Sequence, residues 1–199
     1  MIARTKLSPA LVLGAGLLAA AALRAEVTPE VRAKAAPVFA ALDRIQAEAR
    51  PAPGRKAPAA PGSRRMTFTE AEFNAYAACR LEVEGGPYVK GAELKLLAGD
   101  KVEGRIRIDL GRPQAGGVLP QKQDLLFAAR FESRDGRIRI LMDRLFLGAQ
   151  ELSPSFIDLI IGAVARLQGV EPTSLGDWYE LPRGVLRLET RPGQVVVIY

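Results

Sequence analysis

Asp177-Trp178-Tyr179-Glu180 comes nearest to a reactive site in this chain, because two carboxylates flank two aromatic rings. Paired carboxylates can serve as acid and base or nucleophile on a glycosidic bond, and an aromatic face can hold a sugar ring. The plainer reading is that Trp178 and Tyr179 pack a loop on the core while Asp177 and Glu180 face water. Little else could make or break bonds. The 199 residues include no histidine and one cysteine, Cys79. That excludes Ser-His and Cys-His nucleophilic machinery, imidazole proton transfer, His-containing zinc sites and a disulfide within the chain. Cys79 has no CxxC partner and falls in a helical pattern, so it reads as a small buried hydrophobe. No D-x-D-x-D-G loop, no G-x-x-x-x-G-K-[ST] phosphate loop and no G-x-S-x-G elbow occurs. No cofactor, metal site or catalytic residue is expected, and an enzyme such as a glycan hydrolase is the least favoured reading.

The arginines pose a second question of chemistry. Arg105, Arg107, Arg137 and Arg139 stand in two R-I-R-I stretches and could form a stripe that binds phosphate or another polyanion. Glu103, Asp109, Glu132 and Asp143 are interspersed, which favours ordinary cross-strand pairing on a wet face. The formal net charge is +6, yet residues 66–199 carry 17 basic and 18 acidic residues. The basicity therefore belongs to the N-terminal segments, and no nucleic-acid partner is expected.

Residues 1–25 read as a signal peptide or N-terminal anchor: Arg4 and Lys6 precede the uncharged run Leu7–Leu23, and Ala22 or Ala25 offers a small residue for cleavage. The mature chain is then expected outside the cytoplasm, periplasmic or secreted. Residues 26–49 form an amphipathic helical segment. Thr28 and Pro29 supply the cap and first helical position, and Val31, Ala35, Val38, Leu42, Ile45 and Ala49 make one apolar stripe. Pro37 predicts a kink or two short helices. Residues 50–65 hold four prolines, two glycines and five basic residues with no acid, a linker that could touch anionic headgroups.

The domain over 66–199 opens with a capping box at Thr69-Glu70-Ala71-Glu72, flanked by Phe68 and Phe73 as a hydrophobic staple, starting a helix to about Arg80. From Tyr88 the period changes to two. Leu94 and Leu96 mark one strand; Val102, Gly104, Ile106, Ile108 and Leu110 a second; Leu125, Phe127, Ala129 and Phe131 a third; Ile138, Ile140 and Met142 a fourth. Asp135-Gly136 is a hairpin turn. The shift from Met142 to Leu145 and Leu147 predicts a bulge that curves the sheet. Ser153-Pro154 starts a helix to Gly169, apolar all round, with Ile157 and Ile161 among its residues. A hairpin over 185–199, turning at Arg191-Pro192-Gly193, closes the chain. The fold class is α+β: a curved, mainly antiparallel sheet of about six strands wrapped against two helices, preceded by a signal peptide, a short helix and a linker.

Phe68-Thr-Glu-Ala-Glu-Phe-Asn-Ala-Tyr76, Leu147-Gly148 with Leu152-Ser-Pro154, and Leu181-Pro-Arg-Gly-Val185 together resemble the pattern of YpmS-like secreted or membrane-anchored proteins. Those are similar in turn to half-units of the tubular lipid-binding (TULIP) superfamily. The resemblance spans about residues 66–199 and departs from the pattern at Ser153, where a hydrophobe would precede Pro154. It implies a curved antiparallel sheet around a helix with an apolar groove for lipid, and no catalytic residues.

Pattern and resemblance together lead to an expected ligand groove lined by Phe73, Leu94, Leu96, Ile106, Ile108, Phe127, Phe131, Ile138, Ile140, Ile157 and Ile161. Its occupant would be a lipid or other hydrophobic small molecule. The alternative is an envelope adaptor that engages a protein partner through the 26–49 helix; the sequence does not identify that partner.

Overall fold

The computed structural model describes residues 27–50, 64–84, 89–109, 122–153, 155, 158, 174 and 176–199. The expected signal peptide, nearly all of the linker and all but a few residues of the 153–169 helix lie outside that set. So do Ile157 and Ile161.

Helix α1 spans Pro29–Glu48. The Thr28 hydroxyl accepts from the Val31 amide at its start, and the buried face is Ala35, Val38, Ala41 and Ile45, at steps of three and four. The helix runs unbroken through Pro37, so the division into two short helices does not occur. Pro37 and Ala33, whose carbonyl loses its i+4 donor, both lie on the exposed side, where water can satisfy the freed oxygen. Nor does α1 stand apart from the domain. Its Val38, Ala41 and Ile45 share one core with Phe68, Leu96, Val185, Val195 and Val197.

Strand β1 (Arg65–Thr69) leads directly into α2 (Glu70–Glu84). The capping box is complete: the Thr69 hydroxyl accepts from the Glu72 amide at 3.2 Å, and the Glu72 carboxylate accepts from both the Thr69 amide and hydroxyl at 2.8 Å. These bonds to the Thr69 backbone and side chain hold the Glu72 carboxyl below its ordinary value. A group of this kind contributes stability above its unfolded pKa of about 4.3 and loses it as pH falls through the lower folded value. Thr69→Ala is accordingly expected to cost about 1 kcal/mol near neutral pH. The difference from wild type should shrink in urea titrations carried below that window; a pH-independent difference would refute the carboxylate's part.

Six antiparallel strands make the larger sheet, in the order β2 (Val89–Leu96), β3 (Lys101–Asp109), β4 (Lys122–Arg134), β5 (Arg137–Leu147) and β6 (Gln150–Glu151), with β7 (Tyr179–Glu180) also paired to β5. Asp135 and Gly136 both take positive φ, 52° and 71°, as a two-residue turn between right-twisted strands requires. The bulge predicted after Met142 is present: Ala129 faces Met142 and Ala128 faces Arg144, which leaves Asp143 unpaired. A second irregularity falls between Val89 and Gly91. Each extra residue sharpens the local twist, so the sheet curls.

The terminal hairpin, β8 (Arg187–Arg191) and β9 (Gln194–Ile198), does not extend this sheet. It pairs with β1 in a separate three-stranded sheet of order β1-β9-β8. Side chains join the two sheets. The Ser133 hydroxyl accepts from the Leu188 amide and donates to the Leu188 carbonyl, at 2.8 and 2.7 Å. The Asp100 carboxylate accepts from the Thr190 amide at 2.9 Å.

Candidate functional site

The β2–β5 register gathers the strand residues singled out by sequence onto one face. Phe127 stands between Gly104 and Leu145, Gly104 faces Leu94, and Leu125 faces Ile106. Farther along, Phe131 faces Ile140 and Ser133 faces Ile138, while Ile108 lies opposite Gln123. Period-two alternation, with the Asp143 bulge switching β5 from even to odd inward residues between Met142 and Leu145, puts these side chains together. Phe127, Ala129 and Leu145 are buried at the centre, with Leu94, Val102, Ile106, Leu125, Ile140, Met142 and Leu152 packed around them. Ile106, Ile108, Phe131, Ile138 and Ile140 are only half-buried.

Gly104 shapes the floor of this face. A Cβ at that position would come within 2.3 Å of the Phe127 ring and 3.0 Å of Leu94. Without one, the outer end of the Phe127 ring packs directly over Gly104 on β3. Two expected lining residues are elsewhere. Leu96, at the end of β2, is 3% exposed and belongs to the core shared by α1 and the small sheet; Phe73 packs against that same core and stacks on Tyr76. The groove list is corrected in that respect: the sheet end at Leu96 is covered by this chain's own helix and hairpin.

The opposite face is charged, and many of its charges are paired. Arg105 meets Glu93 at 2.7 Å and Asp124 at 4.0 Å, Arg130 meets Asp143 at 3.1 Å, Arg139 meets Glu132 at 2.6 Å and Arg144 meets Glu151 at 3.4 Å. The hydrogen bond to Glu93 raises the Arg105 pKa. Arg137 stands opposite Glu180 in the β5–β7 register. Cross-strand ion pairs thus engage Arg105, Arg107 and Arg139 of the R-I-R-I stretches.

Asp177 and its neighbours are likewise occupied. The Asp177 carboxylate accepts from the Ser174 amide at 2.8 Å, and the Tyr179 hydroxyl donates to the Ser174 carbonyl. The guanidinium groups of Arg134 and Arg139 lie over the Trp178 ring, 4.8 and 4.9 Å from its centre. This arrangement locks a loop onto β5. Cys79 is buried, and burial pushes its thiol pKa up, away from the reactive thiolate. Among the described residues no group of three or more Cys, Asp or Glu side chains could hold a metal ion, and no helix is long and apolar enough to cross a membrane.

Sequence reasoning did not foresee the side chains that finish the sheet edge. Asn74 pairs with the backbone of Leu94, its amide donating to the carbonyl and its oxygen accepting from the amide, both at 2.7 Å. The Glu70 carboxylate accepts from the Leu96 amide at 2.7 Å. The signal for both was their spacing, four residues apart on one face of α2.

Fold and site together define an α+β protein with a curled antiparallel sheet, apolar on its inner face and ion-paired on its outer face. No protein-family model matches the chain, and no curated protein matches it at a significant level.

Proposed function

We propose that this is a non-enzymatic extracytoplasmic protein that binds a lipid or another hydrophobic ligand against the inner face of its large sheet. The observation that carries the reading is the run of half-buried apolar side chains, Ile106, Ile108, Phe131, Ile138 and Ile140, around the buried Phe127. An apolar ligand laid there would remove surface from water at about 25 cal/mol per Å², without needing a charged partner. The resemblance to tubular lipid-binding half-units points the same way, and export would give access to envelope lipid.

Adaptor action through α1 has less support, because its apolar stripe is spent on the internal core. A membrane contact through the 50–65 linker concerns residues that lie almost entirely outside those described.

The test is native mass spectrometry of the mature protein, followed by organic extraction and an uptake assay with phospholipid and fatty acid. One bound lipid per chain is expected, with uptake reduced several-fold in an Ile106→Gln, Ile140→Gln double variant. A protein that carries no ligand and takes up none of the added lipids would overturn the proposal.

A further inference from the structure

A strand at the edge of a sheet presents a row of unpaired amides and carbonyls. Two such edges are closed here by side chains. On β2, Asn74 and Glu70 bond the backbone of Leu94 and Leu96; on β8, Ser133 and Asp100 bond that of Leu188 and Thr190. The edge of β1 is different. Arg64 and Tyr199 exchange amide-to-carbonyl bonds at 3.2 and 3.0 Å, and the Glu70 amide donates to the Gly193 carbonyl at 2.8 Å. Antiparallel alternation between those points turns the backbone of Met66 and Phe68 toward β9, and that of Arg65, Thr67 and Thr69 away from it. Glu72 takes the Thr69 amide. The Arg65 and Thr67 amides and carbonyls have no hydrogen-bond partner among the described residues, and both residues are exposed.

The arginines beside this edge also differ from those on the large sheet. There, Arg105, Arg107, Arg130, Arg139 and Arg144 each have a carboxylate within 4.0 Å. Arg44 and Arg65 have none among the described residues. Arg44 reaches from α1 to β1, its Nη2 3.5 Å from the Met66 sulfur. Arg65 precedes Met66 and so lies on the other face of the strand. Glu48, one turn beyond Arg44 on α1, is already paired with Arg64 at 2.5 Å. A strand arriving at β1 therefore meets an uncompensated cation on each face.

We propose that the open edge of β1 is a docking site for an extended acidic segment of a partner protein, which adds beside β1 as a fourth strand of the small sheet. A peptide backbone alternates donors and acceptors, so it satisfies all four groups of Arg65 and Thr67. A chain of phosphates brings acceptors only and leaves both carbonyls bare. Carboxylates on the two faces of the added strand reach Arg65 on one side and Arg44 on the other. A second copy of this chain is a poorer occupant. Pairing β1 with itself gathers Arg44 and Arg65 of both copies at one seam, where like charges oppose association. The edge thus turns away its own kind and admits an acidic strand. The inference is independent of the ligand on the large sheet's inner face.

The test uses the full-length chain and three short fluorescent valine peptides carrying glutamate, glutamine or lysine on both faces of the extended chain. Binding is read by anisotropy, and hydrogen exchange over residues 64–69 by mass spectrometry. Affinity is expected to fall from the glutamate to the glutamine to the lysine peptide, and the glutamate peptide should slow exchange at Arg65 and Thr67. Thr67→Pro removes an outward-facing donor and leaves the β1–β9 hydrogen bonds in place, because the Thr67 amide takes no part in that ladder. This variant, and separately Arg44→Glu with Arg65→Glu, should each weaken the glutamate peptide at least about tenfold. A glutamate peptide N-methylated along one edge keeps its charge and loses its donors there, so it should bind wild type about tenfold more weakly; this arm does not require the Thr67→Pro chain to fold. Equal affinity for the acidic and basic peptides would overturn the proposal. So would acidic binding untouched by Thr67→Pro and by N-methylation, since charge alone then holds the peptide. Failure of every peptide to bind at millimolar concentration would overturn it as well. Dimers of the free chain in analytical ultracentrifugation, lost in Thr67→Pro, would overturn it in favour of a second copy.

Discussion

Gly184→Ala is expected to lower the unfolding free energy by about 2–5 kcal/mol, and Gly184→Val by more, out of the 5–15 kcal/mol typical of a domain. Two separate terms add. Gly184 has φ +89°, where any Cβ strains the backbone by about 1–2 kcal/mol. The Cβ would also come within 2.9 Å of the Ala49 Cβ and the Ile45 Cγ2, and 3.0 Å of the Ile45 carbonyl oxygen. Overpacking of that kind costs about 1–3 kcal/mol when the neighbours cannot move. They cannot move here: Ile45 is buried in the main core, and its carbonyl already accepts from the Ala49 amide in the last turn of α1. The glycine is therefore what allows the Pro182–Val185 turn to seat against the helix end. Urea unfolding of Gly184→Ala alone and with Ala49→Gly separates the terms. The second substitution removes one clash and leaves φ unchanged, so a coupling of about 1 kcal/mol is expected. Strict additivity would assign the whole loss to backbone strain.

Local chemistry made much of this fold legible in the sequence, and long-range pairing hid the rest. The capping box, the Asp135-Gly136 turn, the α1 start and the bulge after Met142 each depend on residues a few positions apart, and each is present. The inner sheet face was legible for the same reason, since period two sorts Leu94, Ile106, Phe127 and Ile140 without reference to any other strand. Strand β1 was not legible. Residues 65–69 are short and abut the capping box, and their partner β9 lies about as far along the chain as the domain allows. Pattern also reports that a face is buried without naming what buries it. The stripe of α1 was clear, but the stripe alone could not say whether a partner or this chain's own domain covers it; its residues fill the core with β9 and Val185. Leu96 went astray similarly: its phase matches the groove residues, and only the tertiary position of the terminal hairpin assigns it to another core. The reading of Asp177-Trp178-Tyr179-Glu180 as a packed loop was legible from residue types alone, but composition cannot show that Asp177 caps the Ser174 amide.

Asn74→Leu is expected to be the second most damaging substitution, and to change solubility as well as stability. β2 is an edge strand, paired on one side with β3. On its other side the Leu94 amide and carbonyl bond to the Asn74 side chain, the Leu96 amide to Glu70, and the Leu96 carbonyl to the Gly193 amide. The side-chain amide of asparagine carries the same donor and acceptor as a peptide unit, so it stands in for a neighbouring strand. Leucine has nearly the same volume and neither group. Two half-buried backbone groups then lose their partners at about 1–3 kcal/mol each, for a total of about 2–4 kcal/mol once some water enters. Asn74 also donates to the Glu70 carbonyl at 3.0 Å, so its loss loosens the turn that aims Glu70 at Leu96. What remains is an unpaired stretch of edge beside an apolar face, the arrangement that invites strand addition from a second chain. Urea unfolding should show the stability loss, and light scattering or thioflavin binding under mild destabilisation should show faster self-association than for a core variant such as Ile45→Val matched in stability. That comparison decides the cause, because general destabilisation raises association in both variants and a lost edge cap raises it in Asn74→Leu alone. Equal association at equal stability would mean that α2 shields β2 by bulk, with the paired hydrogen bonds contributing only free energy. The Glu70-to-Asn74 spacing in the Thr-Glu-x-Glu-Phe-Asn motif would then be a matter of helix stability and no longer of sheet protection.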